Sequence, residues 1–384
     1  MSAIYLDHAA TTPVREEVRV AMEPFVSEAF GNPSSRHRWG RAAEAALEDA
    51  RSEIAQALRA QPSEVRFVRG GTESNNLAVM GSSLALGGSR VVPTVTISAI
   101  EHSAVLEAAA HLSTAGEADV VTLSVTPAGA LDLDALACSI ERGPSVVSVM
   151  WVNNETGMVL PISDVTRIAR EGGAVMHTDA SQAIGKVRVD VKEVPVDLLT
   201  ATGHKINGPK GTGILFVRKG TLLNPLLYGG GQERTLRPGT QDVAGAVGFA
   251  TAFRLAVDER EAEAERLRSL RESLERALLM ALPDIRVNAS AATRAPHISS
   301  IGVHGVRDGE ALLMALDLEG VAASGGSACH SGTGKRSHVM AALYGPKDSA
   351  AIVRFSLGRG TERSDIDRAV AATTQVVRRM TVAP

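Results

Sequence analysis

The strongest constraint on the fold is an alternation of apolar segments with stretches of helical periodicity, which runs from residue 40 to residue 217. Over residues 40–60, small and apolar side chains recur three or four positions apart, which predicts a helix. A short strand over residues 64–68 follows, and a new helix begins after Gly70-Gly71. The predicted strands are interpreted as apolar runs rather than alternating ones, as expected where helices cover both faces of a sheet. This pattern predicts an α/β domain with a mostly parallel sheet.

The remaining predicted elements indicate two domains. The alternation continues through helices 102–113, 132–142 and 163–170 and strands 95–98, 119–124, 145–152, 174–178, 196–200 and 213–217. Residues 246–281 are highly charged and contain neither Gly nor Pro after Gly248, which predicts one long helix or two helices broken near Asp258. Short strands and helices mix from residue 284 onward. We therefore expect a large domain over 16–255 and a smaller α+β domain formed by 1–15 and 256–384.

Composition excludes several classes of protein. The 384 residues carry 40 Lys and Arg against 43 Asp and Glu, a net charge of -3, so no excess of positive charge attracts nucleic acid or anionic lipid. The longest apolar stretches fall far short of the roughly 20 residues of a membrane span, and the amino terminus lacks the pattern of a signal peptide. Two cysteines provide neither a disulfide framework nor a four-thiolate metal site. A soluble, cytoplasmic protein without a bound metal is expected.

Polar residues follow several of the predicted strands, at the edge where an open α/β sheet binds its ligands. The first of these junctions is Gly70-Gly71-Thr72. Its glycines let the backbone approach an anion, and the N–H groups of the following helix point at it. An ordinary glycine turn with Thr72 as the helix cap explains the same residues. A second junction, which contains Asn154, is equally typical of a turn. Neither junction identifies a ligand by itself.

Two further junctions carry charged side chains. Asp179 lies just past a strand end, where burying an unpaired carboxylate costs free energy. His204-Lys205 lies at another strand end in a glycine-rich segment, and a P-loop is excluded there because Pro209 stands where that motif needs lysine. A lysine in this place is either a solvated surface charge or a Schiff-base lysine. Together, a lysine, a carboxylate and a phosphate-binding turn at successive strand ends match what pyridoxal phosphate requires.

A series of motifs in chain order adds a family resemblance that spans nearly the whole chain. The motifs are YLDHAATTP, GNPSSRH, GGTESNN, EHSAV, VNNETG, HTDASQAIGK, TGHKINGPKG, GGGQERTLRPGT, GGSAC and RFSLGR. On these motifs the chain resembles the cysteine desulfurases of the NifS/IscS type, class-V aminotransferase-like members of the fold-type I pyridoxal phosphate enzymes. The resemblance implies a large cofactor-binding α/β domain, a smaller domain that carries the catalytic cysteine, and a homodimer.

The resemblance also implies roles for individual residues. Lys205 would bind the cofactor aldehyde, Asp179 would pair with the pyridinium nitrogen, and Gln182 would bond the phenolic oxygen. His102 would stack over the ring and assist proton transfer. The phosphate would be held by Gly71, Thr72, Thr202, His204 and, from the neighbouring subunit, Thr240. Asn154 would lie against both the cofactor and the substrate, and Arg354 would bind the substrate carboxylate with the aid of Asn32.

Cys329 distinguishes a desulfurase from other members of this group. It lies in residues 324–334, where four glycines and three serines in 11 residues predict an exposed loop. The resemblance implies that its thiolate takes the sulfur of L-cysteine as a persulfide, releases L-alanine and passes the sulfur to an acceptor protein. Cys138 falls within the helical pattern of residues 133–140 and is predicted to be a small buried hydrophobe.

Several alternatives stay open at the level of sequence. The acceptor is an iron–sulfur scaffold, a tRNA-thiolation relay or a DNA-sulfur-modification partner. A class-V aminotransferase-like enzyme without sulfur transfer is a second function, although transamination needs no thiol in the place of Cys329. A non-catalytic sulfur-pathway scaffold is a third, and the presence of both Lys205 and Cys329 argues against it.

Overall fold

The computed structural model describes residues 3–88, 91–306, 308–326 and 336–381. Its strands are β1 (Ile4–Tyr5), β2 (Val65–Val68), β3 (Thr94–Ser98), β4 (Asp119–Leu123), β5 (Ser145–Ser148), β6 (Val175–Asp179), β7 (Leu198–Thr202), β8 (Gly213–Val217), β9 (Ile285–Val287), β10 (Ile298–Val303), β11 (Val321–Ala322) and β12 (Ala351–Ser356). Its α-helices are α1 (Glu16–Ser27), α2 (Arg38–Leu58), α3 (Gly71–Leu86), α4 (Ser103–Thr114), α5 (Leu133–Ile140), α6 (Ile162–Glu171), α7 (Val243–Asp258), α8 (Arg260–Ala281), α9 (Gly309–Leu318), α10 (His338–Tyr344) and α11 (Arg363–Thr381). Within these ranges, no helix is long and apolar enough to cross a membrane.

The main sheet confirms the predicted α/β architecture. In the described part of the chain it has seven strands, in the order β2-β8-β7-β6-β5-β3-β4. Among these described strands, β8 runs antiparallel to its neighbours β2 and β7, and the other neighbouring pairs are parallel. Every residue of β3, β5, β7 and β8 is buried, and α3 packs across β5, β6, β7 and β8. Burial on both faces explains why these four strands contain apolar and small polar side chains and no charged ones.

One predicted strand ends earlier than the sequence pattern placed its end, and one charged segment divides at a position that the pattern had offered. The strand predicted over residues 145–152 stops at Ser148, and Val152 pairs antiparallel with Val159 beyond a tight turn. Asn153 closes this turn, because its Oδ1 accepts hydrogen bonds from the backbone N–H groups of the two residues that follow Asn154. The charged segment 246–281 forms two helices, α7 and α8, which meet at Glu259. The second of the two predicted arrangements is therefore the observed one.

A second group of elements has its own apolar core. β12, β10 and β9 form an antiparallel sheet, and β1 pairs in parallel with β11. Their apolar side chains pack with α8, α9 and α11 in a cluster separate from that of the main sheet. Ile4 and Leu6 belong to this second core, whereas Val339 and Met340 of α10 belong to the first. The separate cores support the predicted two-domain division, whose boundaries stay a prediction.

The prediction that Cys138 is buried is wrong. Cys138 lies on α5 with its side chain exposed. The inner face of this helix is formed by Leu136, Ser139 and Ile140. Position 138 is two residues, or about 200°, from both 136 and 140, so its side chain lies on the opposite side of the helix. The apolar pattern correctly predicts the helix, but it does not correctly predict which side of the helix carries Cys138.

Candidate active site

A cavity of about 260 Å³ lies at the carboxyl ends of β6 and β7, where Arg354 of β12 also reaches it. Most of the predicted site residues that the structure describes line this cavity: Gly71, Thr72, His102, Asn154, Asp179, Gln182, Thr202, His204, Lys205 and Arg354. Its wall also contains residues that the sequence analysis did not single out, among them Asn75, Glu155, Ser181 and His338. The fold thus brings side chains from distant parts of the chain to one site.

One end of the cavity is suited to an anion. α3 begins at Gly71, directly after Gly70, whose φ of +108° disfavours any residue with a side chain. The first N–H groups of a helix have no acceptor inside the helix, and its dipole places positive charge at this end. Thr72, Thr202 and His204 line the same cavity and add polar atoms. A phosphate group could be held here.

The carboxylate of Asp179 is oriented by two hydrogen bonds. Its Oδ2 accepts from Asn75 Nδ2 at 2.7 Å, and its Oδ1 accepts from the backbone N–H of Ser181 at 2.9 Å. The side chain is buried at the end of β6 and lines the cavity. A cationic ligand group facing it would offset the free-energy cost of burying this charge. Asn75 could have been found from its position one helical turn after Gly71 in the same motif.

A buried histidine supports the strand end that carries Asp179. His177 lies two residues earlier, on the same face of β6. Its Nδ1 pairs with Ser148 Oγ at 2.8 Å and its Nε2 with Thr200 Oγ1 at 3.1 Å. Burial lowers the pKa of His177 to about 4, so the ring is neutral near pH 7. The neutral ring links β5, β6 and β7 behind the carboxylate.

The amino-terminal segment closes over Lys205. This lysine follows β7 in a short 3-10 turn, and its Nζ donates to the backbone carbonyl oxygens of Ala9 and Ala10, both at 2.6 Å. Gln182 Nε2 donates to the same Ala9 oxygen at 2.9 Å. Burial and the charge of Lys205 lower the pKa of the neighbouring His204 to about 4. His204 is therefore neutral near pH 7 and presents a hydrogen-bonding ring rather than a second positive charge.

His102 is held at the cavity by the start of α4. Its Nδ1 accepts a hydrogen bond from the backbone N–H of Ala104 at 3.1 Å, so the side chain caps the helix. The residue before it, Glu101, is fully buried and accepts hydrogen bonds from Ser98 Oγ and the backbone N–H of Met150. Burial raises the pKa of Glu101 to about 8. Glu101 supports the turn that carries His102, and a glutamate inside an apolar strand-to-helix junction was the signal that could have revealed it.

Arg354 is a buried guanidinium at the cavity wall. Its Nη1 donates to the carbonyl oxygens of Asn154 and Gly326, and its Nη2 donates to Asp7 Oδ1 at 2.8 Å. Its Nε is buried and has no hydrogen-bond partner among the residues that the structure describes. A guanidinium with an unused N–H beside a cavity is suited to bind a carboxylate. The ion pair with Asp7 joins residues 347 positions apart, and the sequence gives no signal for it.

Cys329 lies within residues 327–335, outside the part of the chain that the structure describes. Described residues on both sides of that segment meet the cavity wall at Glu155. Ser337 Oγ donates to Glu155 Oε2 at 2.5 Å, and a Cβ added to Gly326 would lie 2.7 Å from the same oxygen. Gly326 also has a φ of +96°, so a side chain is disfavoured there for two reasons. The two flanks of the segment are therefore anchored at the cavity.

Two predicted residues do not line the cavity of their own chain. Asn32 is exposed, and its Oδ1 accepts a hydrogen bond from the backbone N–H of Ser34. Thr240 is also exposed, in the segment between the 3-10 turn Gln232–Thr235 and α7. Neither side chain contributes to a site built from this chain alone.

The donor set of the cavity fits pyridoxal phosphate. A helix N-terminus suits its phosphate, a buried carboxylate suits its pyridinium nitrogen, and a lysine amine suits its aldehyde. A Cβ added to Gly71 would approach Ser181 Oγ to 3.3 Å, so glycine keeps the phosphate end open. The guanidinium of Arg354 is suited to bind the carboxylate of an amino acid.

The cavity belongs to a chain that is similar to several known proteins. Residues 4–369 match the family model described as Aminotransferase class-V. The chain is 41% identical, over 99% of its own length and 96% of the other, to a protein of Dictyoglomus turgidum named Cysteine desulfurase IscS. A solved NifS-like protein has a TM-score of 0.90 and 32% identity, covering 98% of this chain and 99% of that one. The structure of SspA in complex with cysteine has a TM-score of 0.80 and 32% identity, covering 92% and 98%.

Proposed function

Because this chain belongs to the aminotransferase class-V family and is a pyridoxal-phosphate-dependent cysteine desulfurase, we propose that the cavity at β6 and β7 is its active site and that Cys329 receives the sulfur of L-cysteine. The observation that carries the proposal is the meeting of Lys205, Asp179 and Arg354 around one cavity. Cysteine as the substrate is supported by the similar fold of SspA, whose structure contains cysteine.

In this proposal different residues of the cavity hold different parts of the cofactor. Lys205 binds the aldehyde, Asp179 pairs with the pyridinium nitrogen and Gln182 donates to the phenolic oxygen. His102 packs against the ring. The phosphate is held by Gly71, Thr72, Thr202 and His204, which line one end of the cavity. When bound, pyridoxal phosphate supplies an electron sink for the α-carbon of the substrate.

The protein's own side chains then bind the substrate and move its protons. Arg354 and Asn154 hold the substrate carboxylate, which fixes the α-carbon near Lys205. The amine of Lys205 accepts the α-proton as a general base, and His102 assists the later proton transfers. The thiolate of Cys329 attacks the substrate sulfur, so that a sulfur–sulfur bond forms while the carbon–sulfur bond breaks. The electron pair of the broken bond stays on carbon, which takes up a proton to complete L-alanine.

Substitution of Arg354 by lysine is expected to weaken substrate binding more than the chemical step. Lysine keeps the positive charge beside Asp7 but loses the planar fork that binds a carboxylate at two points. We expect the KM for L-cysteine to rise roughly 10- to 100-fold, the equivalent of one charge-assisted hydrogen bond, with kcat changed much less. Steady-state assays of alanine formation measure both constants, and thermal unfolding checks that the variant is folded. An unchanged KM would contradict the assignment of Arg354.

We further propose that the enzyme is a homodimer whose active sites are shared. Thr240 is exposed and absent from the cavity of its own chain, and Leu222, Leu227 and Tyr228 of the preceding segment are exposed as well. Exposed apolar side chains of this kind are typical of a contact surface. In the dimer, Thr240 reaches the phosphate bound by the partner.

Thr240→Ala is therefore expected to weaken cofactor binding. Loss of one hydrogen bond to the charged phosphate corresponds to an increase of roughly 10- to 100-fold in the Kd for pyridoxal phosphate. Titration of the apoprotein with cofactor measures this constant, and dilution of the wild-type protein to monomer should release the cofactor. Thr235→Ala is the matched control, because the Thr235 hydroxyl bonds only the adjacent carbonyl of Arg234 among the described residues. A monomer that retains full cofactor occupancy would show that the site is not shared.

The sulfur acceptor is proposed to be a protein thiol, and the pathway to be iron–sulfur cluster assembly, which the name IscS of the relative supports. We propose the cytoplasm as the compartment, because a reducing environment keeps the thiol of Cys329 from being oxidised to a disulfide.

The function is tested by measuring alanine and sulfide released from L-cysteine with and without a reductant. With reductant, the two products should form in equal amounts. Without it, alanine should stop near one equivalent per active site while the persulfide remains on the protein. Continued alanine formation without sulfur on the protein or in solution would favour the alternative of an aminotransferase-like enzyme without sulfur transfer.

A further inference from the structure

A group of buried basic side chains lies behind Gln182 and has no role in the chemistry proposed above. His297, directly before β10, is 2% exposed, and His8, after β1, is 8% exposed. His8 Nδ1 packs against the backbone of Gly358, where a Cβ would lie only 2.3 Å away. His297 contacts the cavity wall through a single hydrogen bond, between its Nε2 and Gln182 Oε1 at 3.1 Å.

The hydrogen bonds of Gln182 determine which ring nitrogen of His297 carries the proton. Gln182 Nε2 donates to the carbonyl oxygen of Ala9, which can only accept, so the amide nitrogen must face Ala9. The amide oxygen then faces His297, and an amide oxygen can only accept. His297 Nε2 must therefore be protonated and donate this hydrogen bond.

The surroundings of His297 favour a single proton on the ring. Its Nδ1 is buried and has no hydrogen-bond partner among the residues that the structure describes. Burial, followed by the charge of Lys186 and by His8, holds the pKa of His297 well below its usual value. The other charged groups that act on it, Arg354 and Arg271, are also cationic. The ring is thus neutral and protonated at Nε2.

We propose that His297 is a positioning residue that fixes the Gln182 amide so that its second N–H remains available to the ligand in the cavity. Gln182 lines the cavity and is buried, and one of its two N–H groups is used by Ala9. With its oxygen held by His297, the amide cannot turn and present an acceptor to the phenolic oxygen of the cofactor. This inference rests on the proposed role of Gln182 and adds a residue outside the cavity that sets it.

A double-mutant cycle with the holoenzyme tests whether His297 acts through Gln182. His297→Leu should raise the Kd for pyridoxal phosphate about 10-fold and shift the visible absorption of the bound cofactor, because the amide is no longer held. His297→Gln places an amide N–H near the position of Nε2 and should restore both values to within about 3-fold of wild type. In the Gln182→Ala background, His297→Leu should change neither the Kd for pyridoxal phosphate nor the visible absorption of the bound cofactor any further. An equal effect in both backgrounds, or no difference between the Leu and Gln variants, would overturn the proposal.

The tautomer is measured in the protein that retains His297, and a variant serves only to assign the signals. In apoprotein labelled with ¹⁵N-histidine, the His297 signals are identified by their absence in His297→Gln. They should show a protonated Nε2 and an unprotonated Nδ1 that do not titrate between about pH 6 and 9. Protonation at Nδ1, or titration in that range, would overturn the proposal. Failure of the proposed function appears separately, as absence of alanine formation by the wild-type enzyme.

Discussion

Lys205→Ala is expected to abolish turnover and the visible absorbance of the lysine-bound cofactor while the protein stays folded. The variant removes the amine that we propose holds the cofactor and accepts the α-proton, so alanine formation should fall by at least about 10⁴-fold. The fold should persist, because the substitution shortens a side chain at the cavity and leaves the apolar cores of both groups of elements unchanged. Absorbance spectra, alanine assays and circular dichroism measure the three expectations.

The control for this substitution is Lys210→Ala. Lys210 is exposed five residues further along the same segment and does not line the cavity. The Lys210→Ala variant should retain the cofactor and normal activity. Reduction of the wild-type protein with borohydride should attach the cofactor to the peptide that contains Lys205, which mass spectrometry identifies. Visible absorbance of a lysine-bound cofactor in Lys205→Ala would refute the assignment.

Cys329→Ser is expected to separate substrate binding from sulfur transfer. Serine is nearly the same size, but its hydroxyl stays protonated near neutral pH and is a poor nucleophile toward sulfur. Lys205, Asp179 and Arg354 are unchanged, so addition of L-cysteine should still alter the absorption spectrum of the bound cofactor. Alanine formation should fall by about 10³-fold or more. Stopped-flow spectra measure the first expectation, and an alanine assay measures the second.

Cys138→Ser is the matched control for the cysteine substitution. Because Cys138 is exposed on α5, its replacement should change the free energy of unfolding by less than about 0.5 kcal/mol and should leave alanine formation intact. Normal alanine output from Cys329→Ser would show that sulfur does not pass through this residue. The alternative without sulfur transfer would then be favoured.

Much of the fold was predictable because its signals are local in the chain. Burial of a parallel strand on both faces favours a run of apolar and small uncharged side chains, and a helix that packs on one side favours an apolar period near 3.6 residues. Residues such as Asp179 and Lys205 stand directly after such runs, so their position at the carboxyl edge of the sheet followed from the strands themselves. The family resemblance added the roles of the individual side chains.

Cys138 shows where local patterns fail. The helical spacing of the apolar residues over 133–140 correctly predicts a helix, and α5 is that helix. Which of its sides is buried depends on the elements packed against it, and a difference of two residues reverses the answer. The sequence thus determines the helical period, but it defines only approximately which side of the helix is buried.

The partners of the site residues were decided by the tertiary structure alone. Asp7 meets Arg354 across 347 positions, the Ala9 carbonyl receives both Lys205 and Gln182, and His297 donates to Gln182 across 115 positions. The spacing of residues in the sequence does not predict such pairs, because each pair forms only when the amino-terminal segment and β10–β12 pack against the main sheet. The chemistry of each side chain is therefore set by its residue type and its place after a strand. Its orientation, hydrogen bonds and pKa are set by groups that only the folded chain brings within reach.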